Sequence, residues 1–330
     1  MSNRKRKDRV IALGFFDGVH LGHGALLRRT VEEAQRRGCV PAVFTFDRPP
    51  KEVVTGVPCP LINSPDDRRE LVRRLYGIQE VILAPFDQEM MTTSWEDFVV
   101  KLLVGRYHAV HLVAGHDHRF GHKNQGTPEL LMEKCAALGL GCDIIPKVEL
   151  GGVTVSSTYI RRLLEMGQVS RANQYLGHPH TLTGAVLHGR GIGSTRLFPT
   201  ANLAVPPHVL VPSHGVYATW VSLPDGRGCT AVTNVGTRPT VNNGTDVTVE
   251  ACLLDFEGDL YGQTLRVEFY EHLRNEIRFD SLDALRAQIA ADAETVRRYF
   301  SEASQGTPPP APPPEGATPS GLPQRKMTCS

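Results

Sequence analysis

Short apolar runs and amphipathic stretches alternate through the first third of the chain. Val10–Phe15 reads as a strand, and after a turn a helix is predicted from about Gly24 to Arg37. Val40–Phe46 reads as a second strand. A helix over Asp66–Leu75 follows, opened by Ser64 as cap and Pro65 as first-turn residue. Glu80–Ala84 predicts a third strand, Ser94–Leu103 a helix and Ala109–Ala114 a fourth strand. Strands alternating with helices imply an α/β unit: a parallel sheet with helices on its faces.

From about Thr181 the pattern changes. Leu182–Leu187, Gly215–Val221, Thr230–Val235, Thr248–Leu254 and Thr264–Tyr270 are short strand-like runs, separated by turn signals such as Pro224-Asp225-Gly226 and Asn243-Gly244. That spacing predicts an antiparallel barrel or sandwich. An amphipathic helix from Ser281 to about Phe300 closes the ordered part. From Ser304 on, eight of 27 residues are Pro, a composition that cannot build a core. The expected division is a basic arm over 1–9, domains over 10–178 and 179–303, and a disordered tail over 304–330.

Composition agrees with two domains, since 330 residues at roughly 150 per domain give about two. Lys plus Arg is 36 and Asp plus Glu is 35, a net charge of +1 that argues against a nucleic-acid partner. No run approaches the roughly 18 apolar residues of a membrane span. The opening MSNRKRKDR (Arg4, Lys5, Arg6, Lys7, Arg9) reads as a solvated arm, with no signal-peptide core behind it. Cysteines 39, 59, 135, 142, 229, 252 and 329 are scattered without a C-x-x-C, which points to neither a disulfide framework nor zinc and fits a reducing cytoplasm.

The chemistry concentrates at strand ends. Gly14, Phe16, Asp17, Gly18, His20 and His23 lie where the first strand hands over to a helix. Glycines there let the backbone approach a phosphate chain, and the helix start offers free N–H groups and a positive dipole. The two imidazoles can donate hydrogen bonds to phosphoryl oxygens during nucleotidyl transfer. Zinc is the competing reading of the pair, without a nearby third ligand to complete a site. Asp117 and Phe120 follow the fourth strand in Gly115-His116-Asp117-His118-Arg119-Phe120-Gly121. Ser156, Thr158 and Arg161 open a later helix, as cap, hydroxyl and cation suited to an anion or as an ordinary cap with a surface Arg.

These segments resemble the N-terminal module of bacterial bifunctional riboflavin kinase/FAD synthetases, in the HxGH nucleotidyltransferase superfamily. The resemblance implies that His20 and His23 contact ATP phosphates and that Ser156, Thr158 and Arg161 complete the phosphate site. It also places Asp117 beside the nucleotide and flavin. At His116 and His118 the chain departs from the usual acidic or aromatic residue and Phe.

In the β-rich half, Gly189, Gly191 and Gly193 form a loop able to cradle phosphates, although no G-x-x-x-x-G-K-[ST] is present. In Pro199-Thr200-Ala201-Asn202, a hydroxyl and a carboxamide two residues apart offer hard oxygen ligands for Mg²⁺ shared with ATP. An Asx-type turn without metal is the alternative. With Asn234-Val235-Gly236-Thr237-Arg238-Pro239-Thr240, Val249-Glu250-Ala251 and Leu273-Arg274-Asn275-Glu276, this half is similar to the riboflavin kinase module. Leu197-Phe198 stands where that module usually has Gly-Phe or Gly-Ile.

The resemblance implies a fold and a function together. The fold is a Rossmann-like parallel-sheet nucleotidyltransferase domain followed by an antiparallel β-barrel kinase domain with a C-terminal helix. Thr200 and Asn202 would hold Mg²⁺, Glu250 would be the kinase base, and Asn234 and Arg274 would contact flavin or nucleotide. Riboflavin would be phosphorylated by ATP to FMN, and FMN adenylylated to FAD with release of pyrophosphate. Partners are then the small molecules riboflavin, FMN and ATP, with no nucleic acid and no membrane, and a weak homo-oligomer is left open. Two other readings compete. A HIGH-type aminoacyl-tRNA synthetase has only Lys326-Met327-Thr328-Cys329-Ser330 as an echo of its second motif, without the second Lys. A flavin-sensing protein would not need both histidines, Thr200, Asn202 and Glu250.

Overall fold

The structure is a computed structural model that describes residues 7–187, 200–239 and 245–305, and its contacts divide the chain into two compact units. Among the described residues, the first unit runs to Cys59 and resumes over Arg68–Val155. The second holds Pro60–Asp67 and the residues from Ser156 on.

The first unit contains β1 (Arg9–Leu13), α1 (Leu21–Arg37), β2 (Val40–Phe46), α2 (Pro50–Thr55) and α3 (Pro65–Tyr76), the last from Arg68 onward. It continues through β3 (Glu80–Ala84), α4 (Gln88–Thr92), α5 (Trp95–Asp97), β4 (Ala109–Gly115), α6 (Pro128–Ala137), β5 (Gly141–Ile145), β6 (Glu149–Leu150) and β7 (Val153–Thr154). Five strands form one parallel sheet in the order β3-β2-β1-β4-β5. Central β1 is apolar from Val10 to Leu13 because both its faces are covered there. Val10 and Ala12 pack with Leu26, Leu27 and Val72, whereas Ile11 and Leu13 pack with Phe44, Phe98 and Leu112. Each such fully buried aliphatic side chain contributes about 1.5–3 kcal/mol.

Two helices of this unit differ from the sequence expectation in extent or type. Helix α1 starts three residues earlier, at Leu21, because His20 caps it. The helix expected over Ser94–Leu103 is the short α5 followed by wide π-helical turns over Phe98–Arg106. There the Tyr107 N–H reaches back five residues to the Leu102 carbonyl, at 3.1 Å. The wider turn keeps Phe98, Val99 and Leu103 buried against the sheet. Strand β5 and helix α6 complete the sheet on the side that the apolar pattern left open.

The second unit contains α7 (Ser157–Glu165), α8 (Val169–Leu176), β8 (His180–Leu187), β9 (Thr200–Leu203), β10 (Gly215–Ser222), β11 (Gly228–Pro239), β12 (Thr245–Leu253), β13 (Thr264–Arg274) and α9 (Leu282–Gln305). Six of these strands close an antiparallel barrel in the order β10-β11-β12-β9-β8-β13. Residues such as Tyr217, Val249, Ala251, Val267 and Phe269 are fully buried, and alternate neighbours face outward. Buried Thr219 and Thr233 satisfy each other: Thr219 donates to the Ala231 carbonyl and is 2.7 Å from Thr233 Oγ1. Ala293, Val296 and Phe300 of α9 pack on Val216, Ala218, Val232 and Leu254, on the barrel's outer face. Among the described residues, no helix is long and apolar enough to cross a membrane.

Candidate active sites

In the parallel sheet, β2 and β3 lie to one side of β1, and β4 and β5 to the other. The order therefore reverses between β1 and β4, and the loops leaving their carboxyl ends flank a crevice where open α/β sheets bind ligands. The loop after β1 is tightly wound. Gly18 takes φ +85°, Phe16 +57° and Val19 +41°. Left-handed backbone is easy for glycine but costs about 1–3 kcal/mol for a bulky or β-branched residue. Phe16 and Val19 are held there by complete burial and by a 3.0 Å bond from the Val19 N–H to the Phe16 carbonyl. Gly14 is tightly placed, because an added Cβ would approach the Phe16 ring at 3.1 Å and require it to shift. Asp17 is also buried.

This loop delivers the two histidines. His20 caps α1, its Nδ1 accepting the His23 N–H at 3.2 Å. A backbone N–H can only donate, so a neutral His20 carries its proton on Nε2. The His23 ring stacks on His20 with centroids 3.6 Å apart and meets the edge of Phe16 at 5.1 Å. Burial, the adjacent His20 and the Arg68 charge hold the His23 imidazole well below its ordinary pKa. At neutral pH His23 is therefore uncharged, and its buried Nδ1 has no hydrogen-bond partner. A neutral imidazole keeps one N–H, so each histidine of the pair retains one donor for an anion.

Arg68 was missed in the sequence. It sits at a core position of α3, in step with Leu71, Val72 and Leu75, and that coincidence is the signal that would have found it. Its Nη1 donates to the Phe15 carbonyl and, at 3.3 Å, to Thr45 Oγ1, while Nη2 donates to the Phe46 carbonyl at 3.0 Å. The guanidinium lies 4.4 Å from the Phe15 ring centroid. Burial lowers its pKa to about 10, opposed by Asp17 and Asp47, so it remains cationic.

The crevice opens beside a cavity of about 180 Å³ that six phenylalanines line: Phe15, Phe44, Phe46, Phe86, Phe98 and Phe120. Met90 and Met91 add further apolar wall, and His118, Arg119 and Asn124 add polar groups. His118 stacks on Phe120 at 5.6 Å, and burial pulls its pKa down to about 4. Asp117 is exposed on the same loop. Phe120 and Asp117 are legible in the sequence; of the other aromatics, Phe15, Phe46 and Phe86 sit at or just beyond a strand end, whereas Phe44 lies within β2 and Phe98 opens the π-helical turns.

In the barrel, strand register does the assembling. Arg274 pairs with Val216, Val216 with Asn234, Asn234 with Glu250, Glu250 with Asn202 and Asn202 with Leu187. Cross-strand partners share a face, so Asn234, Glu250 and Asn202 stand abreast on the outside of the barrel. Thr200 lies two residues along β9 on the same face, opposite Cys252. Asn234 Nδ2 donates to Glu276 Oε1 at 3.1 Å. Arg274 is tied to Asp292 of α9 by Nη2–Oδ2 and Nε–Oδ1 contacts of 2.7 and 3.1 Å, which fixes it at the row's end.

Two sets of candidates remain. Ser156 caps α7 and accepts the Tyr159 N–H at 3.3 Å. Thr158 is exposed on the first turn, and Arg161 Nε donates to the Pro60 carbonyl at 2.8 Å. Gly189, Gly191 and Gly193 lie outside the described residues, as does Leu197. Among the described residues, no cluster of three His, Cys, Asp or Glu is placed to hold a metal ion.

The two constellations match two known modules in order. Residues 2–159 match the FAD synthetase family model and residues 176–300 the riboflavin kinase model. The chain is 37% identical over 304 residues to a bifunctional riboflavin kinase/FMN adenylyltransferase of Escherichia coli, covering 91% of this chain and 95% of that protein. A protein of the same description from Listeria monocytogenes is 33% identical over 297 residues, covering 89% and 93%. A solved structure described as a macrolide-efflux protein from Streptococcus pneumoniae superposes with TM-score 0.77 at 31% identity, over 88% of this chain and 94% of that one. Efflux is the description of that protein alone. With both modules matched in sequence and nearly the full length of the relatives covered, the chain belongs to the bifunctional riboflavin kinase/FMN adenylyltransferase family.

Proposed function

We infer that this chain makes FMN and FAD in two ATP-dependent steps, riboflavin phosphorylation followed by FMN adenylylation. The observation that carries the kinase step is the row Asn202–Glu250–Asn234, three polar side chains brought abreast by register from three separate strands. We assign Glu250 as the base. It takes the proton of the ribityl 5′-hydroxyl as that oxygen attacks the γ-phosphorus of ATP and ADP leaves. Asn234 and Arg274 orient flavin or nucleotide from the same row.

Thr200 and Asn202 suit Mg²⁺ bound to ATP. They present neutral oxygens at two-residue spacing, and Mg²⁺ typically takes few protein ligands and fills the rest with phosphate and water. The ion supplies neutralisation of phosphate charge when bound. The Gly189, Gly191 and Gly193 loop is assigned to the same phosphates from sequence.

We place adenylyl transfer in the α/β unit. A phosphate oxygen of FMN attacks the α-phosphorus of ATP, and the bond to the pyrophosphate oxygen breaks. His20 and His23 donate hydrogen bonds to the phosphoryl oxygens as their charge redistributes, and the loop of Gly14, Phe16, Asp17 and Gly18 holds them in place. The phenylalanine-lined cavity suits the apolar faces of the flavin ring, with Asp117 and Phe120 beside it. Ser156, Thr158 and Arg161 are kept as anion ligands on the strength of the α7 start. The scattered thiols fit a cytoplasmic enzyme. Incubation with riboflavin, ATP and Mg²⁺ followed by separation of flavins should yield FMN and then FAD. Absence of both products would refute the assignment.

A further inference from the structure

We propose that Arg68 is a positioning residue of adenylyl transfer, clamping the exits of β1 and β2 and so fixing the turn that aims His20 and His23. The inference rests on the reading of that turn as the ATP-phosphate site.

The argument starts where the sheet ends. The last main-chain bond joining β1 to β2 runs from the Gly14 N–H to the Phe44 carbonyl, at 3.3 Å. Beyond it the two strand ends have no further ladder, yet the next residues of β1 enter a turn with Phe16 and Val19 in left-handed backbone. Such a conformation persists only where its surroundings over-determine it. The Arg68 guanidinium adds a brace to the burial and the Val19–Phe16 bond that hold it. One planar fork binds the Phe15 carbonyl on one strand exit and Thr45 Oγ1 and the Phe46 carbonyl on the other. Thr45 Oγ1 also donates to the Phe15 carbonyl at 2.8 Å, so the clamp is cross-braced.

No lysine can replace this geometry, because a single ammonium lacks the width of the fork. The fully buried side chain stays cationic beside the acidic Asp17 and Asp47. Its charge acts on His23 together with the neighbouring His20, and both favour the neutral imidazole. Arg68 thus sets the place of the histidine pair and biases its protonation without touching the reacting atoms.

The test uses the full chain with Arg68→Gln and Arg68→Lys, following FMN-to-FAD conversion and, as an internal reference, riboflavin phosphorylation. Arg68→Gln should lower kcat for FAD formation by roughly 10- to 100-fold, the scale of a displaced catalytic group, with KM for FMN little changed. The acid limb of its pH profile should move to higher pH, since the cation that opposes His23 protonation is gone. Arg68→Lys should lower kcat but leave the acid limb in place. Phosphorylation should be unaffected in both. Should Arg68→Gln unfold the unit, Arg68→Lys alone decides. Wild-type kcat in either variant would overturn the proposal, as would a kcat loss of equal size in both with an unmoved acid limb, the mark of a residue that only stabilises the fold. The site reading is tested separately: His23→Ala with undiminished FAD formation sinks that reading, whereas an inactive His23→Ala beside an unimpaired Arg68→Gln sinks only the Arg68 inference.

Discussion

His180 makes the barrel unit sensitive to acid, and the size of the effect follows from its surroundings. The side chain is fully buried, packs 5.8 Å from the Phe269 ring, and neither ring nitrogen has a well-formed hydrogen bond. Burial first and neighbouring His178 second lower its pKa from 6.5 to about 3, against a slight opposing pull from the Leu210 main chain. In the unfolded chain the imidazole titrates at its ordinary value, so below pH 6.5 the unfolded state binds more protons and stability falls as pH falls. Between pH 7.5 and 5 the unfolded state gains a proton that the folded state refuses. At about 1.4 kcal/mol per pH unit over the roughly 1.5 units below 6.5, this costs about 2 kcal/mol. The loss continues to grow until the pH reaches about 3. Replacement by leucine removes the titrating group. The chain has two tryptophans, Trp95 in the α/β unit and Trp220 in the barrel, so Trp95→Phe leaves a fluorescence signal from the barrel alone. Urea unfolding of that background, with and without His180→Leu, at pH 7.5 and 5 should show the pH gap shrinking by about 2 kcal/mol in the variant. Comparing gaps cancels whatever leucine does to packing. An equal gap in both proteins refutes the account.

Three further outcomes are expected. Glu250→Gln should abolish FMN formation from riboflavin while FMN-to-FAD conversion survives, read by flavin chromatography; loss of both would contradict separate sites. Met90→Trp should fill the phenylalanine-lined cavity and raise KM for FMN in adenylylation by roughly tenfold or more, the equivalent of about 1.4 kcal/mol, with riboflavin phosphorylation unchanged. Asp292→Ala should strip Arg274 of its bidentate partner and Gln288 of its acceptor, destabilising the barrel by about 2–3 kcal/mol in urea unfolding, since one half-buried charge loses its partner.

The parts of the fold that sequence revealed are those where one local pattern suffices. The strands of the parallel sheet are apolar on both faces, and Val40–Phe46 and Glu80–Ala84 coincide with the observed β2 and β3. Strand β5 escaped because Gly141-Cys142-Asp143 breaks its apolar run; Asp143 is there to accept bonds from Arg29 and His111, a tertiary reason no window contains. Five of the six barrel strands are legible but β9 is not, and two of the five extend further: β11 reaches Pro239 and β13 reaches Arg274, where polar residues lie on the outer row instead of the core. The candidate residues of that row were each visible, yet their adjacency was not, since Asn202, Glu250 and Asn234 meet only through pairing. Arg274 was visible as a candidate, but its link to Asp292, which crosses from strand to helix, was not. Arg68 was hidden by its company, one of two adjacent arginines in the charged run Asp66-Asp67-Arg68-Arg69-Glu70.

Closure of the barrel gives the row of Asn202, Glu250 and Asn234 a property that an open sheet would lack. Each strand in a closed ring is hydrogen-bonded on both sides, so none can fray or slide by itself. A slip of β12 by one position would turn Glu250 inward and break its alignment with Asn202 and Asn234 at once. Partial misalignment is therefore not an accessible state, and the row exists whole or not at all. Phosphorylating activity should then vanish in a single step as denaturant rises, coincident with the Trp220 transition, which makes the reaction itself a binary gauge of whether the barrel is folded.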